Sequence, residues 1–342
     1  MTENGSMNNV ELGMKYKATQ AGQINSLDIL KFIMAVAVVV LHVGALYGEP
    51  CVYGPAVCWF ENLAVPFFFI SSGYLIGRHI SAQTSADSKA YLRGKSRRYL
   101  RLFVVWSLIY LPVSLVLYSQ SATIGVKTVF DYVGRIAVMG DFEGVWFIWY
   151  LYSSVFVYFL LSLCGDIRRR VWLYAVFFVV IYIIGQTVGM MGLPKYPDII
   201  VTGVCTRVLG GGVYIVAGML LYRYRRFALN VGVSVGLLAV SICLFAICGR
   251  FYQLFGGVAL ALLAMSVRVS GDDFCRQLRY LSMWIYFLHM YVMDIFIACG
   301  LISDDAVTTL AWIAGLTVAL SLAVNRATSR YKTLAPLRRL LG

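Results

Sequence analysis

The chain has 342 residues, 60% hydrophobic and only 13% charged, with a mean hydropathy of +0.78. A soluble domain carries about a quarter charged residues, whereas here apolar runs of about 20 residues recur from end to end, each long enough to cross a hydrocarbon core. The net charge of +13 would suit nucleic acid, but the cations cluster between apolar runs and form no nucleic-acid module. That pattern sets topology instead.

The expected fold is an all-α polytopic membrane protein of about ten spans, in contact with membrane lipids, with both termini cytoplasmic. Residues 1–26 are polar, rich in Asn, Gly and Ser, and read as a disordered cytoplasmic tail. They do not read as a signal peptide, because the following apolar run is too long and lacks a clear cleavage site. A single membrane domain is expected over 27–328, then a basic cytoplasmic tail over 329–342.

Span one, 27–47, runs from inside to outside, and span two returns over 59–77. Cys51 and Cys58 share the short outer loop between them, where a disulfide is one of two open outcomes. The next connection carries Arg78, Lys89, Arg93, Lys95, Arg97, Arg98 and Arg101 against Asp87 alone, the strongest inside signal in the chain. Span three covers 102–118. In the outer segment 124–139, Lys127, Asp131 and Arg135 recur every four residues, which suits an amphipathic interfacial helix. Spans four to ten follow at 145–164, 171–191, 200–222, 228–248, 251–267, 280–300 and 306–325. On this topology 24 of the 29 Lys and Arg residues are inside, four are outside, and Arg207 alone lies within a span. The eight cysteines have no metal-type spacing.

Four polar features interrupt the spans. Lys31 and His42 in span one are about three turns apart, so they share a face and lie roughly 16 Å apart along the axis. An ionisable group deep in an apolar helix is a functional candidate; the alternative is a histidine that merely bonds a neighbouring helix. In span two, Pro66 to Leu75 contains Ser71-Ser72-Gly73, either a loosened helix with re-satisfied backbone or a close-packing patch. Arg207 precedes Gly210-Gly211-Gly212 and either needs a buried partner or snorkels to the outer interface. Ser282, Tyr286 and His289 recur at i, i+4 and i+7, on one face of span nine. Trp146, Trp149 and Tyr150 suit an interfacial aromatic belt, and His79 borders the basic connection as a solvated side chain.

A neutral imidazole can take the proton of an alcohol attacking an acyl group, and a basic inner surface can hold the phosphates of an activated donor. The same residues would also serve a transporter. Together these stretches resemble the acyltransferase-3 family of integral membrane O-acyltransferases. Leu27 to Lys31 and on through His42 is similar to the family's first-span motif, an arginine, ten intervening residues and then a histidine. Pro66 to Leu75 resembles its Phe-Phe-x-x-Ser-Gly-Tyr-Leu signature. Trp146-Phe147-Ile148 resembles a Leu-Trp-Phe-Leu segment, Arg207 to Gly218 an arginine-before-glycine span, and Ser282 to His289 a late Ser-x-x-x-Tyr-x-x-His pattern.

The resemblance implies transfer of an acyl group, usually acetyl, from acyl-CoA (acetyl-CoA) as co-substrate to a hydroxyl of a cell-surface glycan or lipid-linked sugar in the cell membrane. It makes His42 the catalytic base, with Lys31 the donor-side cation beside Arg97 and Arg98. Ser72, Trp146, Arg207, Tyr286 and His289 would line the acceptor and donor site. Lys31 departs from the family's arginine and loses its bidentate fork; Gly144 stands where many members place a histidine. The rival reading on the same fold is a transporter or flippase of a small polar solute, serine-type substrates included.

Overall fold

The computed structural model describes residues 24–49, 51–121, 146–163, 166–191, 203–225, 230–249 and 251–331, with isolated positions at 125, 130, 133, 134, 136, 140 and 333. Every regular element among them is helical, as expected of a chain whose backbone polar groups must pair within their own segment in lipid. The first is α1 (Asn25–Ala45); a short α2 (Pro55–Glu61) then leads into α3 (Ala64–Ile80), and α4 covers Ser85–Ser121. A 3-10 turn, Trp146–Ile148, opens α5 (Trp149–Leu163), which α6 (Ile167–Met191) follows. A π-helical turn, Gly203–Val208, precedes α7 (Gly211–Arg223). The remainder is α8 (Val231–Cys248), α9 (Tyr252–Ser266), α10 (Asp272–Ala298) and α11 (Ala306–Arg330).

Each of the ten expected apolar stretches falls on a helix. Among the described residues, however, seven helical segments are long and apolar enough to cross a membrane, and α5 and α9 are shorter apolar helices. The interfacial helix expected around Lys127, Asp131 and Arg135 lies almost wholly outside the described residues, as does Gly144.

One boundary differs usefully from expectation. The basic connection after span two is not a loop, because α4 begins at Ser85 and carries it in helical form. Thr84 starts it: its Oγ1 accepts the Asp87 backbone N–H at 3.2 Å, as an N-cap hydroxyl does, and donates to Asp87 Oδ2 at 2.6 Å. Lys and Arg are good helix formers, so nothing in this stretch stops the helix from running on into the apolar span. Similarly α10 starts at Asp272, eight residues before the expected span. Cations read as topology signals therefore stand on ordered helical faces.

Two apolar clusters make the core. One joins α1 with α3, α5, α6, α7 and α9, and with α4 through Leu92; the other joins α1 with α4, α5, α10 and α11. Phe68, Tyr99 and Tyr150 pack against both clusters and mark the seam between them. Burial follows position. In the apolar window of α10, 61% of residues are buried, against 11% in α8, so α10 is central and α8 presents its side chains outward. The exposed Val233, Val235 and Ile242 of α8 are the side chains lipid would cover.

The Ser71-Ser72-Gly73 patch takes the close-packing role. A Cβ on Gly73 would run into the Ile215 backbone of α7, and one on Gly218 of α7 into the Ile70 carbonyl of α3. Small residues let two membrane helices approach at backbone distance, and α3 remains unbroken through them. Gly73→Ala is expected to destabilise the protein by about 1–3 kcal/mol, read as a lower Tm of the purified protein in detergent. Gly94→Ala, where nothing lies within 4 Å, is the control and should leave Tm unchanged or raised.

At the end of the bundle away from Lys31, the α1–α2 loop is stapled by a Cys51–Cys58 disulfide with Cα atoms 5.0 Å apart. It docks on the start of α11: Tyr53 Oη donates to the Ala306 carbonyl at 3.0 Å. Tyr47 Oη lies 2.7 Å from both the Ser303 carbonyl and Thr309 Oγ1.

Candidate active site

A cavity of about 330 Å³ opens at the seam between the two clusters. Helix α1 supplies Lys31, α3 supplies Phe68 and Ser72, α5 supplies Tyr150, and α10 supplies Arg279, Ser282 and Tyr286. From α4 come Tyr91, Lys95, Arg98 and Leu102, at helical spacings of four, three and four, which place them on one face. Four cations (Lys31, Lys95, Arg98, Arg279) thus converge on one small volume. The Lys95 ammonium also lies 5.5 Å from the Tyr91 ring centre, a cation–π contact. The electrostatic consequence is a concentrated positive field in a partly desolvated cleft, which selects an anionic ligand.

The far wall is aromatic. Phe68, Tyr150 and Tyr286 meet edge to face, with ring centres 6.0–6.5 Å apart. Ser72 Oγ and Tyr150 Oη share a hydrogen bond of 3.2 Å. Tyr286 Oη donates to the Phe147 carbonyl at 2.8 Å, which ties the middle of α10 to the turn before α5.

Beyond that wall lie the two histidines. His42 and His289 are 4% and 1% exposed, and their rings stack with centres 5.0 Å apart at an angle of 21°. His289 Nδ1 is 3.1 Å from the Ile285 carbonyl. A carbonyl only accepts, so Nδ1 carries the proton and Nε2 presents a lone pair. That Nε2 is buried with no hydrogen-bond partner among the described residues. The Phe147 ring stands edge-on to His289 at 5.3 Å. Tyr286 is the link: it lines the cavity, and its ring is 6.2 Å from that of His289.

The residues singled out in the sequence therefore fall into three groups. Lys31, Ser72, Arg98 and Tyr286 line the cavity, and His42 and His289 form the stacked pair behind it. Arg97 and Arg207 join neither group. Arg97 is exposed on the far side of α4, because a neighbour one residue away on a helix points about 100° around from Arg98. Arg207 sits in the π-helical turn with its guanidinium 5.6 Å from the Trp149 ring centre. Trp146 opens the 3-10 turn that carries Phe147. Sequence reading missed Lys95, Arg279, Tyr91 and Tyr150 as cavity residues. The 91/95/98/102 spacing held the signal for the first and third.

The residues match a chemistry of anion binding beside buried imidazole bases. Comparison with known proteins gives that chemistry a family. The model of the acyltransferase-3 family, described as an acyltransferase domain, matches residues 24–326, which include all the described helices except the end of α11. No curated protein and no solved structure was found to match the chain. The cation-lined cavity, the stacked histidines and the helices that hold them all lie within the matched region, and the chain belongs to the acyltransferase-3 family of multi-pass membrane acyltransferases.

Proposed function

We propose that the protein is an acyl-CoA-dependent O-acyltransferase of the cell membrane, transferring an acyl group, by resemblance acetyl, to a hydroxyl of a cell-surface glycan or lipid-linked sugar. The observation that carries this reading is the convergence of Lys31, Lys95, Arg98 and Arg279 on one cavity whose aromatic wall adjoins the His42–His289 pair. The basic end suits the phosphates of a CoA thioester, and on the positive-inside rule it faces the cytoplasm, where both termini would then lie. The thioester end would extend toward Tyr286, and the acceptor hydroxyl would approach the histidines from the opposite side.

In this reading His42 accepts the proton of the acceptor hydroxyl as its oxygen attacks the thioester carbonyl. A carbon–oxygen bond forms and the carbon–sulfur bond breaks. The thiolate leaves as CoA and takes up the proton. A donor near the carbonyl oxygen, such as Ser72 Oγ, would stabilise the developing oxyanion.

The test uses the purified chain in sealed vesicles with radiolabelled acetyl-CoA and a lipid-linked sugar fraction. Acetylated acceptor should appear with one CoA thiol released per acetyl group transferred. Uptake of a polar solute without acetyl-CoA, and with no acetylated product, would sink the proposal in favour of a transporter.

A further inference from the structure

Arg279 is not a loose cation on the cavity wall. Its Nε donates to Asp28 Oδ1 at 2.9 Å and its Nη2 to Asp28 Oδ2 at 2.6 Å. Two parallel bonds of this kind fix the plane of the guanidinium as well as its position. The two partners are unequally buried: the Asp28 side chain is 5% exposed and that of Arg279 is 38% exposed. The carboxylate therefore faces inward, and the guanidinium keeps an accessible edge. Nε and one Nη2 hydrogen are committed to Asp28. The Nη1 hydrogens and the second Nη2 hydrogen have no protein partner among the described residues.

The pair sits where two central helices enter the cavity. Asp28 is one turn before Lys31 on α1, and Arg279 is one turn before Ser282 on α10, whose Oγ donates to the Arg279 carbonyl at 2.8 Å. Lys31, Arg279 and Ser282 all line the cavity. As a helix fastener the arrangement is a poor choice. Burying a carboxylate is unfavourable, and well-packed apolar side chains hold two helices as well or better. What apolar packing cannot supply is a guanidinium of fixed orientation. Lys31 and Lys95 end in flexible ammonium groups, which act as point charges, whereas a held guanidinium presents a planar fork that matches a tetrahedral oxyanion.

We propose that Asp28 and Arg279 form the fixed anchor of an anion site, in which Arg279 takes a phosphate group of the acyl donor with its uncommitted N–H groups. Asp28 is a positioning residue: it touches no ligand and acts through Arg279. Lys31, Lys95 and Arg98 supply the surrounding charge. The inference rests on the reading of this cavity as the donor's binding place, and the experiment separates the two.

CoA binding is measured by calorimetry on the full-length protein in lipid nanodiscs, for wild type, Asp28→Asn and Arg279→Lys. Both variants are expected to raise the Kd for CoA about tenfold, and the KM for acetyl-CoA in step, with kcat within about twofold of wild type. An acetyl thioester of pantetheine, which has no phosphate, should be used equally well by all three proteins. Arg279→Lys keeps the charge and loses the fork, so it carries the test if Asp28→Asn fails to fold. Unchanged CoA affinity in the folded variants overturns the anchor. An equal loss with the phosphate-free thioester also overturns it, because the pair would then be merely structural. Absence of CoA binding to the wild type overturns the donor-site reading itself.

Discussion

His42→Ala is expected to lower kcat for acyl transfer by about 10²–10⁴, the range for loss of a positioned general base, with the Kd for CoA within about twofold of wild type. The separation follows from the architecture. His42 does not line the cation-rich cavity; it lies behind the aromatic wall, stacked on His289. Its removal takes no side chain from the cavity lining. It does leave a void in the buried pair, so Tm must be followed alongside activity. His289 sharpens the experiment. With its Nδ1–H committed to the Ile285 carbonyl, its Nε2 is a second buried lone pair beside the first imidazole. If the two rings act as a unit, His289→Ala alone should fall nearly as far as His42→Ala, and the double variant should fall little further. If His289 only orients its neighbour, its loss should be about tenfold and shift the pH profile that His42 sets. Full acetyl transfer by a folded His42→Ala protein removes His42 from the chemistry.

The helices were legible because lipid imposes a single rule on every span. Runs such as Val36–Leu41 and Val231–Cys248 can pair their backbone groups only as helix, so their positions could be read directly. Where the helices begin was less legible. The sequence signal for a span ends where charges start, but the helix does not, and α4 and α10 both extend through their basic segments to Ser85 and Asp272. Helix propensity, joined at α4 by the Thr84–Asp87 cap, decides those ends, and neither appears in hydropathy. The length criterion also sorts the spans: α5 and α9 are apolar but short.

The site was legible where one helix carried the pattern. Lys31 with His42, and Tyr286 with His289, could be paired by helical spacing within α1 and α10. The stacking of His42 on His289 could not, because periodicity says nothing about which face meets which across 247 positions of sequence. The same limit hid Asp28–Arg279, whose partners lie 251 residues apart. Arg97 illustrates a different failure. As a member of a basic run it looked equivalent to Arg98, yet one residue of helical rotation puts one side chain in the cavity and leaves the other exposed. Arg207 shows a third. Its place within a span left a buried partner and the outer interface both open, and only the structure shows that the π-helical turn sets its guanidinium beside the Trp149 ring.

Lys31→Met should raise the KM for acetyl-CoA by about 10–100-fold, the loss expected when a charge-assisted contact worth roughly 1.5–3 kcal/mol is removed. Methionine keeps most of the side-chain length and apolar stem, so the change isolates the ammonium. Three cations would remain around the cavity, which sets the ceiling: binding weakens but is not abolished. Salt provides an independent readout. Ionic screening at 0.15 M acts over about 8 Å, so wild-type KM should rise with added salt more steeply than that of the variant, which has one charge fewer to screen. Lys31→Arg restores the charge and adds a fork; its KM should stay within about threefold of wild type. The division between KM and kcat decides where the lysine acts. A rise in KM with kcat preserved places the ammonium on the donor's phosphates, at the end of the cavity that Arg279 also lines. A fall in kcat with KM unchanged would place it at the reacting carbonyl. Lys31 lies about three turns from His42 along α1, and Phe68 and Tyr286 stand on the aromatic wall between the cavity and the histidines, so the first outcome is the expected one.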